Sequence, residues 1–199
     1  MGRKPARKRR SRARRKLPPA KTPALRPQRR EQPERAPGKR VRESQAEMVE
    51  VVLPNDANPL GNILGGRVMH LVDIAAAIAA HRHSNSYVVT ASVDHVDFRT
   101  PIKVGELIVL QSSVNRVFRT SLEVGVKVFA ENVLTGERKH TSSAYVTFVA
   151  IDEQGQPKPV PPVICETPNE RRRFQQAGLR RQWRLAHRFK KISREEVNR

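Results

Sequence analysis

The apolar positions of this chain change their spacing twice, and the changes mark out its elements. Between Met48 and Pro54 the run MVEVVLP is short, β-branched and closed by proline, which predicts a strand beginning near Glu47. The next stretch, NDANPLGNILGG, crowds Asn, Asp, Pro and Gly together and reads as turns. RVMHLVDIAAAIAAHRH then carries neither Gly nor Pro and is rich in Ala, Leu and Met. Its spacing predicts a helix from about Gly66 to His83, apolar over most of its circumference.

After residues 84–86 the period falls to two, and four strands follow: SYVVTASVDHVDF, ELIVLQSSVNRVF, SLEVGVKVFAENV and ERKHTSSAYVTFVAID. In the third of these, Leu122, Val124, Val126 and Val128 alternate with Glu123, Gly125 and Lys127. The connections TPIKVG, RT and LTG are short, so the later strands form an antiparallel meander. A Pro-rich exit over 153–162 leads to a second, strongly basic helix from Pro168 to Lys191. Phe174, Leu179, Trp183, Leu185 and Phe189 are its apolar anchors, expected to dock on a neighbouring surface with the arginines outward.

One strand, one long apolar helix and four strands imply an α+β domain. A helix apolar all round must be covered on most sides. A curved antiparallel sheet wrapped about it does this, with another subunit closing the open side.

Charge divides the chain along the same lines. The formal +20 is made of +16 over Met1–Arg42, −4 over Glu43–Thr167 and +8 over Pro168–Arg199. An acidic core between basic ends is not a uniformly basic nucleic-acid binder. Three segments result: a disordered basic extension over 1–46, a globular domain over 47–167 and a basic helix over 168–199. The extension is dominated by Pro and Arg and has too little apolar surface to order itself. Without aromatic residues, its contacts with nucleic acid or an anionic surface would be nonspecific and salt-sensitive. No apolar run is long enough to span a bilayer, and the N-terminus lacks the apolar core of a secretory signal. Cys165 is the single cysteine, which rules out an intrachain disulfide and fits a cytoplasmic setting.

The candidate chemistry sits between Pro54 and His81. Asp73 precedes IAAAIAA, and a lone carboxylate beside a buried apolar run is costly unless it has a task. Seven residues earlier, two helical turns away on the same face, Gly65 and Gly66 open the helix. Their unpaired N–H groups and the positive end of the dipole suit an anion. Thr90 and Ser92 share one side of the following strand and are candidates for lining a binding tunnel. His70 reads as a core or interface histidine. His81 and His83 do not share a helical face, and nothing points to a metal.

NPLGNILGG followed by DIAAA at Asp73–Ala77, VVTASVD at Val88–Asp94, DFRTPIKVGE at Asp97–Glu106 and AYVTFVAID at Ala144–Asp152 together resemble the hotdog-fold acyl-CoA thioesterases. The likeness is to the bacterial YciA-type and brain-type cytosolic acyl-CoA hydrolases, and it covers roughly Glu47 to Thr167. It implies a hotdog fold that hydrolyses acyl-CoA to free acid and coenzyme A, with no cofactor beyond the coenzyme A of the substrate. By the same resemblance Asp73 is the catalytic carboxylate. Asn62, supplied by the facing subunit, is its loop partner at a position where many relatives carry Asp. Gly66 supplies an oxyanion donor, and Gly65, Thr90, Ser92, Arg67 and Arg99 are substrate-binding candidates. The assembly implied is a homodimer, three of which make a hexamer.

Two competing readings are a noncatalytic acyl-CoA sensor and a basic nucleic-acid-binding protein whose hotdog core serves assembly. Retention of Asp73 with the Gly65–Gly66 helix start favours hydrolysis, since a sensor needs no carboxylate beside the thioester.

Overall fold

The computed structural model describes residues 37–197, apart from His95 and the side chains beyond His187. In chain order its elements are β1 (Lys39–Arg40), β2 (Ala46–Val51), α1 (Gly65–Ser84), β3 (Tyr87–Val93), β4 (Leu107–Val117), β5 (Ser121–Glu131), β6 (Arg138–Ile151), β7 (Val163–Ile164) and α2 (Pro168–Val197), with short 3-10 turns at Val41–Ser44 and Pro54–Asp56.

Tight connections make the meander. Phe118 N–H bonds Ser121 O across the first turn, and Gly136 takes a positive φ of 69° to close the second, where a side chain would be strained. β4, β5 and β6 are therefore antiparallel neighbours. β2 adds beside β4 and β3 beside β6, giving the order β2-β4-β5-β6-β3. The sheet curls around α1, the α+β arrangement expected from the pattern and the hotdog fold implied by the resemblance.

Alternation decides what each face of the sheet offers. Leu122, Val124, Val126 and Val128 of β5 turn inward with Ile108, Leu110 and Val114 of β4 and Val146 and Phe148 of β6. Against them α1 buries Val68, Leu71, Val72, Ala75, Ala76, Ala79 and Ala80. The small alanines bring the helix backbone close enough for Ser112 Oγ to donate to Ala75 O at 2.7 Å. Asn85, left-handed at φ 47°, ends the helix.

Three expectations are corrected. Residues 37–46 are folded against the domain, ahead of the expected start near Glu47. Val41 is buried, Ser44 Oγ donates to Val41 O and accepts from Val114 N–H, and β1 pairs in parallel with β7. A single buried valine among charged residues leaves no period to read. The rest of the expected basic extension, residues 1–36, lies outside the described residues, as does any contact it makes with nucleic acid or an anionic surface.

The second correction concerns β3, which ends at Val93 rather than Phe98. A bulge at Ala91 breaks its alternation, so Thr90 pairs with Phe148 and Ser92 with Thr147. Phe148 and Thr147 are consecutive, so Thr90 and Ser92 point to opposite faces instead of sharing one.

The third is the orientation of α2. Arg173, Arg180 and Arg184 face the sheet, while Arg171 and Arg172 are exposed and Leu179 and Trp183 are 65% and 64% exposed; of the expected anchors Phe174 is half-buried, against Arg116. The expected anchor Phe189 lies outside the described side chains. The outer face of the sheet explains the reversal, because it presents Glu123 with no exposure at all. Arg180 grips Glu123 with Nε at 3.1 Å and Nη2 at 2.6 Å, and Arg184 Nη1 reaches both Asp94 oxygens at 2.8 and 2.7 Å. A buried carboxylate demands a cation more strongly than the helix demands burial of Trp183.

Candidate active site

Asp73 sits near the middle of α1, half-buried, beside the edge strand β3. Its Oδ1 accepts a 2.8 Å hydrogen bond from Thr90 Oγ1 on β3. The bulge at Ala91 is what allows this: it fixes the inward turn of Thr90 while freeing Asp94, farther along the strand, to turn outward to Arg184. With one oxygen held, the other carboxylate oxygen is left for a reacting partner.

The start of α1 is built differently. Arg67 is clamped between Glu50 at 2.8 Å and Asp56 at 3.2 Å, which ties the helix start to β2 and to the loop before it. Its charge is thereby answered within the protomer, which leaves it a weaker candidate for a substrate phosphate. Gly65 and Gly66 are exposed, with no side-chain cap on the helix, and among the described residues their N–H groups meet no backbone or side-chain acceptor. A Cβ added at Gly66 would meet nothing within 4 Å. The room beside the Gly66 Cα is thus open, at the positive end of the helix dipole.

The loop leading to the helix folds around Asn58. Its Oδ1 accepts from Leu60 N–H at 3.0 Å and Asn62 N–H at 3.2 Å, an Asx-type turn in which the side-chain amide is left uncommitted. Asn58 N–H in turn bonds Asn62 O, and Asn62 bridges to Lys103. A cleft of about 320 Å³ opens here, lined among others by Asn58, Asn62, Gly65, Phe98 and Arg99. Asp73 and Thr90 do not line it. Two turns of helix, about 10 Å along the axis, separate Gly66 from Asp73.

One protomer therefore holds two incomplete pieces: a carboxylate–hydroxyl pair, and a loop cleft with free N–H groups. Of the expected residues, the structure brings Asn62, Gly65 and Arg99 together at the cleft and joins Asp73 to Thr90. It turns Ser92 to the other face. Asn58 went unnoticed in the sequence, although Asn before Pro in a Gly-rich turn is the signal for such a side-chain-closed loop. His70 is exposed on the outer side of α1. His83 is buried, with Nε2 on Pro161 O at 3.0 Å, and burial lowers its pKa.

A family model for the thioesterase superfamily matches residues 60–137. The uncharacterized acyl-CoA thioester hydrolase YkhA of Bacillus subtilis is 42% identical over 129 residues, covering 65% of this chain and 75% of that protein. The mouse cytosolic acyl coenzyme A thioester hydrolase is 35% identical over 135 residues, and the match spans only 35% of that longer protein and 67% of this chain. Among solved structures, an apo-hexameric acyl-CoA thioesterase is 43% identical with a TM-score of 0.73, covering 76% of this chain and 97% of its own. The acyl-CoA hydrolase of Staphylococcus aureus, solved with butyryl coenzyme A, coenzyme A and coenzyme A disulfide, is 35% identical with a TM-score of 0.75, covering 82% of this chain and 100% of its own. Structures of that enzyme also exist with one aspartate, one threonine and one asparagine singly replaced by alanine. The asparagine stands 15 residues before the aspartate and the threonine 17 after it.

Proposed function

The chain belongs to the thioesterase superfamily, and from that premise we infer that it hydrolyses acyl-CoA thioesters to free acid and coenzyme A with Asp73 as the group that activates water. The observation that carries this reading is the Thr90–Asp73 hydrogen bond. Asn58, Asp73 and Thr90 also repeat the 15- and 17-residue spacing of the three positions replaced in the Staphylococcus aureus enzyme. Asn58 accordingly takes the role first given to Asn62, whose backbone holds the Asn58 side chain in place.

The chemistry follows from the parts. Thr90 donates to one oxygen of Asp73, and the other oxygen takes a proton from water as that water attacks the thioester carbonyl. The N–H of Gly66 and the side-chain amide of Asn58 donate to the oxyanion as it forms. Collapse breaks the C–S bond, and the coenzyme A thiolate recovers the proton from Asp73. A thiol ionises near pH 8.5, so this leaving group needs little help.

In this reading the site is closed by a second copy. Among the described residues β3 has a neighbour only in β6, and it carries Tyr87, Val89 and Val93 exposed. An apolar edge strand is a template for pairing. A hexamer of three such dimers follows the hexameric relative.

Among the described residues no helix is long and apolar enough to cross a membrane. The proposed setting is the cytosol, as for the mouse relative. A noncatalytic sensor would have no use for a carboxylate held by a hydroxyl at this point. The test is thiol release from acyl-CoAs of graded chain length by the full chain and by Asp73→Ala. Turnover by the full chain that falls at least 100-fold in the variant is expected. A folded variant with near-normal turnover would sink the assignment.

A further inference from the structure

The polar contacts that hold α2 to the sheet turn its apolar side chains outward. Arg180 and Arg184 point in to Glu123 and Asp94, Arg173 points in to Ser113, and Ala177 is buried between them. On the opposite side Leu179, Trp183 and Ala186, spaced four and three residues apart, form one exposed stripe. The Trp183 ring is braced by that of His187, 3.9 Å away between centroids and tilted by 31°.

The charge around the stripe is of one sign. Arg172 stands on the same side of the helix two turns before Leu179, and Arg171 is exposed next to it. Among the described residues neither forms an ion pair with a carboxylate. Arg171 Nη1 donates to Glu166 O at 3.2 Å, and Arg172 donates to the side-chain oxygens of Asn169 and Gln176. Glu170, the one acid between Pro168 and His187, is buried and accepts the N–H groups of Glu166 and Thr167 at the helix start. Over residues 168–199 the sequence has 11 Lys/Arg against 3 Asp/Glu.

We propose that the outer side of α2 docks on an anionic lipid surface, with Leu179 and Trp183 in the headgroup boundary and Arg171 and Arg172 on lipid phosphates. An indole, apolar in body with one N–H, favours that boundary, and the leucine beside it adds apolar burial. Arginine matches phosphate oxygens with a planar fork of donors. A second copy of the chain fits the stripe less well. The row 172, 176, 179, 183, 186 holds Arg, Gln, Leu, Trp and Ala, where a helix–helix seam needs apolar residues throughout, and two helices of this charge repel. A lipid surface needs no matching pocket, only a protruding apolar stripe flanked by cations, and α2 offers that.

Trp183 is the only tryptophan of the chain, so its fluorescence reports on this stripe alone. The experiment titrates the full chain with vesicles of phosphatidylcholine mixed with phosphatidylglycerol, and with vesicles of phosphatidylcholine alone. It is repeated on Leu179→Glu and on the double variant R171E/R172E, with thermal unfolding to show that both are folded. Anionic vesicles are expected to shift Trp183 emission to the blue, and brominated lipids in them to quench it, while neutral vesicles leave it unchanged. Both variants are expected to lose about tenfold in vesicle affinity, and raised salt to weaken the response further. Residues 1–36 are themselves strongly basic, so cosedimentation with vesicles while Trp183 emission stays unchanged assigns binding to that segment and overturns the proposal. An equal response to neutral vesicles, or one that the folded variants retain, overturns it too. Emission that is blue without lipid and reddens on dilution would put a second copy on the stripe, and a shift given by polyglutamate but not by anionic vesicles would put an acidic protein there; either result contradicts the proposal. No readout uses turnover, so this proposal and the hydrolysis reading fail separately.

Discussion

α1 and α2 cover opposite faces of one sheet and are held there by opposite means. α1 docks through alanines, valines and a leucine, with a single hydroxyl, Ser112, reaching its backbone. α2 docks through arginines: Arg180 on Glu123, Arg184 on Asp94, and the guanidinium of Arg180 over the Tyr145 ring at 3.6 Å. Dispersion and the hydrophobic effect set the first contact, and they tolerate no stray charge, so the one carboxylate on α1 stands at the open edge with a hydroxyl to hold it. Directed charge pairs set the second, and they leave a wet, polar seam. The inner face is apolar and closely packed, while the outer face is polar and carries paired charge.

The largest expected effect on stability is at the outer face. Glu123→Ala strands Arg180 beneath α2, and about 3 kcal/mol of destabilisation is expected from breaking so buried a pair. Chemical denaturation measures it, and a loss under 1 kcal/mol would mean that α2 is held by something else. Leu71→Ala on the inner face leaves a cavity and should cost a similar amount, about 3 kcal/mol. The two differ in their answer to repair, because Glu123→Gln keeps shape without charge and still destabilises, whereas Leu71→Met is nearly neutral.

Removing residues before Met48 takes away Val41 and Ser44, both buried, along with the β1–β7 pair. A chain starting at Met48 should lose about 2 kcal/mol against one starting at Pro37, judged from the burial of one valine and the loss of the Ser44 bonds. Equal unfolding midpoints would show that the segment is dispensable.

The smallest effect is in pH. Burial lowers the pKa of His83, so the fold holds it neutral while the unfolded chain titrates near 6.5. Its contribution is complete above that value and declines as pH falls below it, by up to about 1.4 kcal/mol per pH unit. His83→Gln should flatten this part of the stability–pH curve, and an unchanged slope between pH 6.5 and 5 would remove His83 from the account.

Much of the inner face was legible in the sequence and little of the outer face, for a physical reason. Period and composition report burial of apolar side chains, so they placed α1 within a residue at each end and picked out Asp73 as the charge that did not fit. The same rule misled at α2, where Leu179 and Trp183 looked like anchors. Burial there is dictated by Glu123 on β5 and by Asp94 just after β3, 90 residues before the Arg184 it pairs with. Ser92 was misplaced because a bulge at Ala91 leaves no mark in composition. Asn58 was missed because its side chain closes its own turn, a contact that depends on loop geometry rather than on pattern. The four motif pieces carried the family.

The central claim is that turnover belongs to the inner-face carboxylate and anchorage to the outer-face ion pairs. The direct measurement is thiol release from an acyl-CoA at saturation, set beside the unfolding midpoint, for Asp73→Asn and Arg184→Gln. Asp73→Asn is expected to lose at least 100-fold in kcat with its midpoint within a few degrees of the parent, and Arg184→Gln to lower the midpoint while keeping most of its turnover. A folded Asp73→Asn chain turning over within tenfold of the parent would contradict the account.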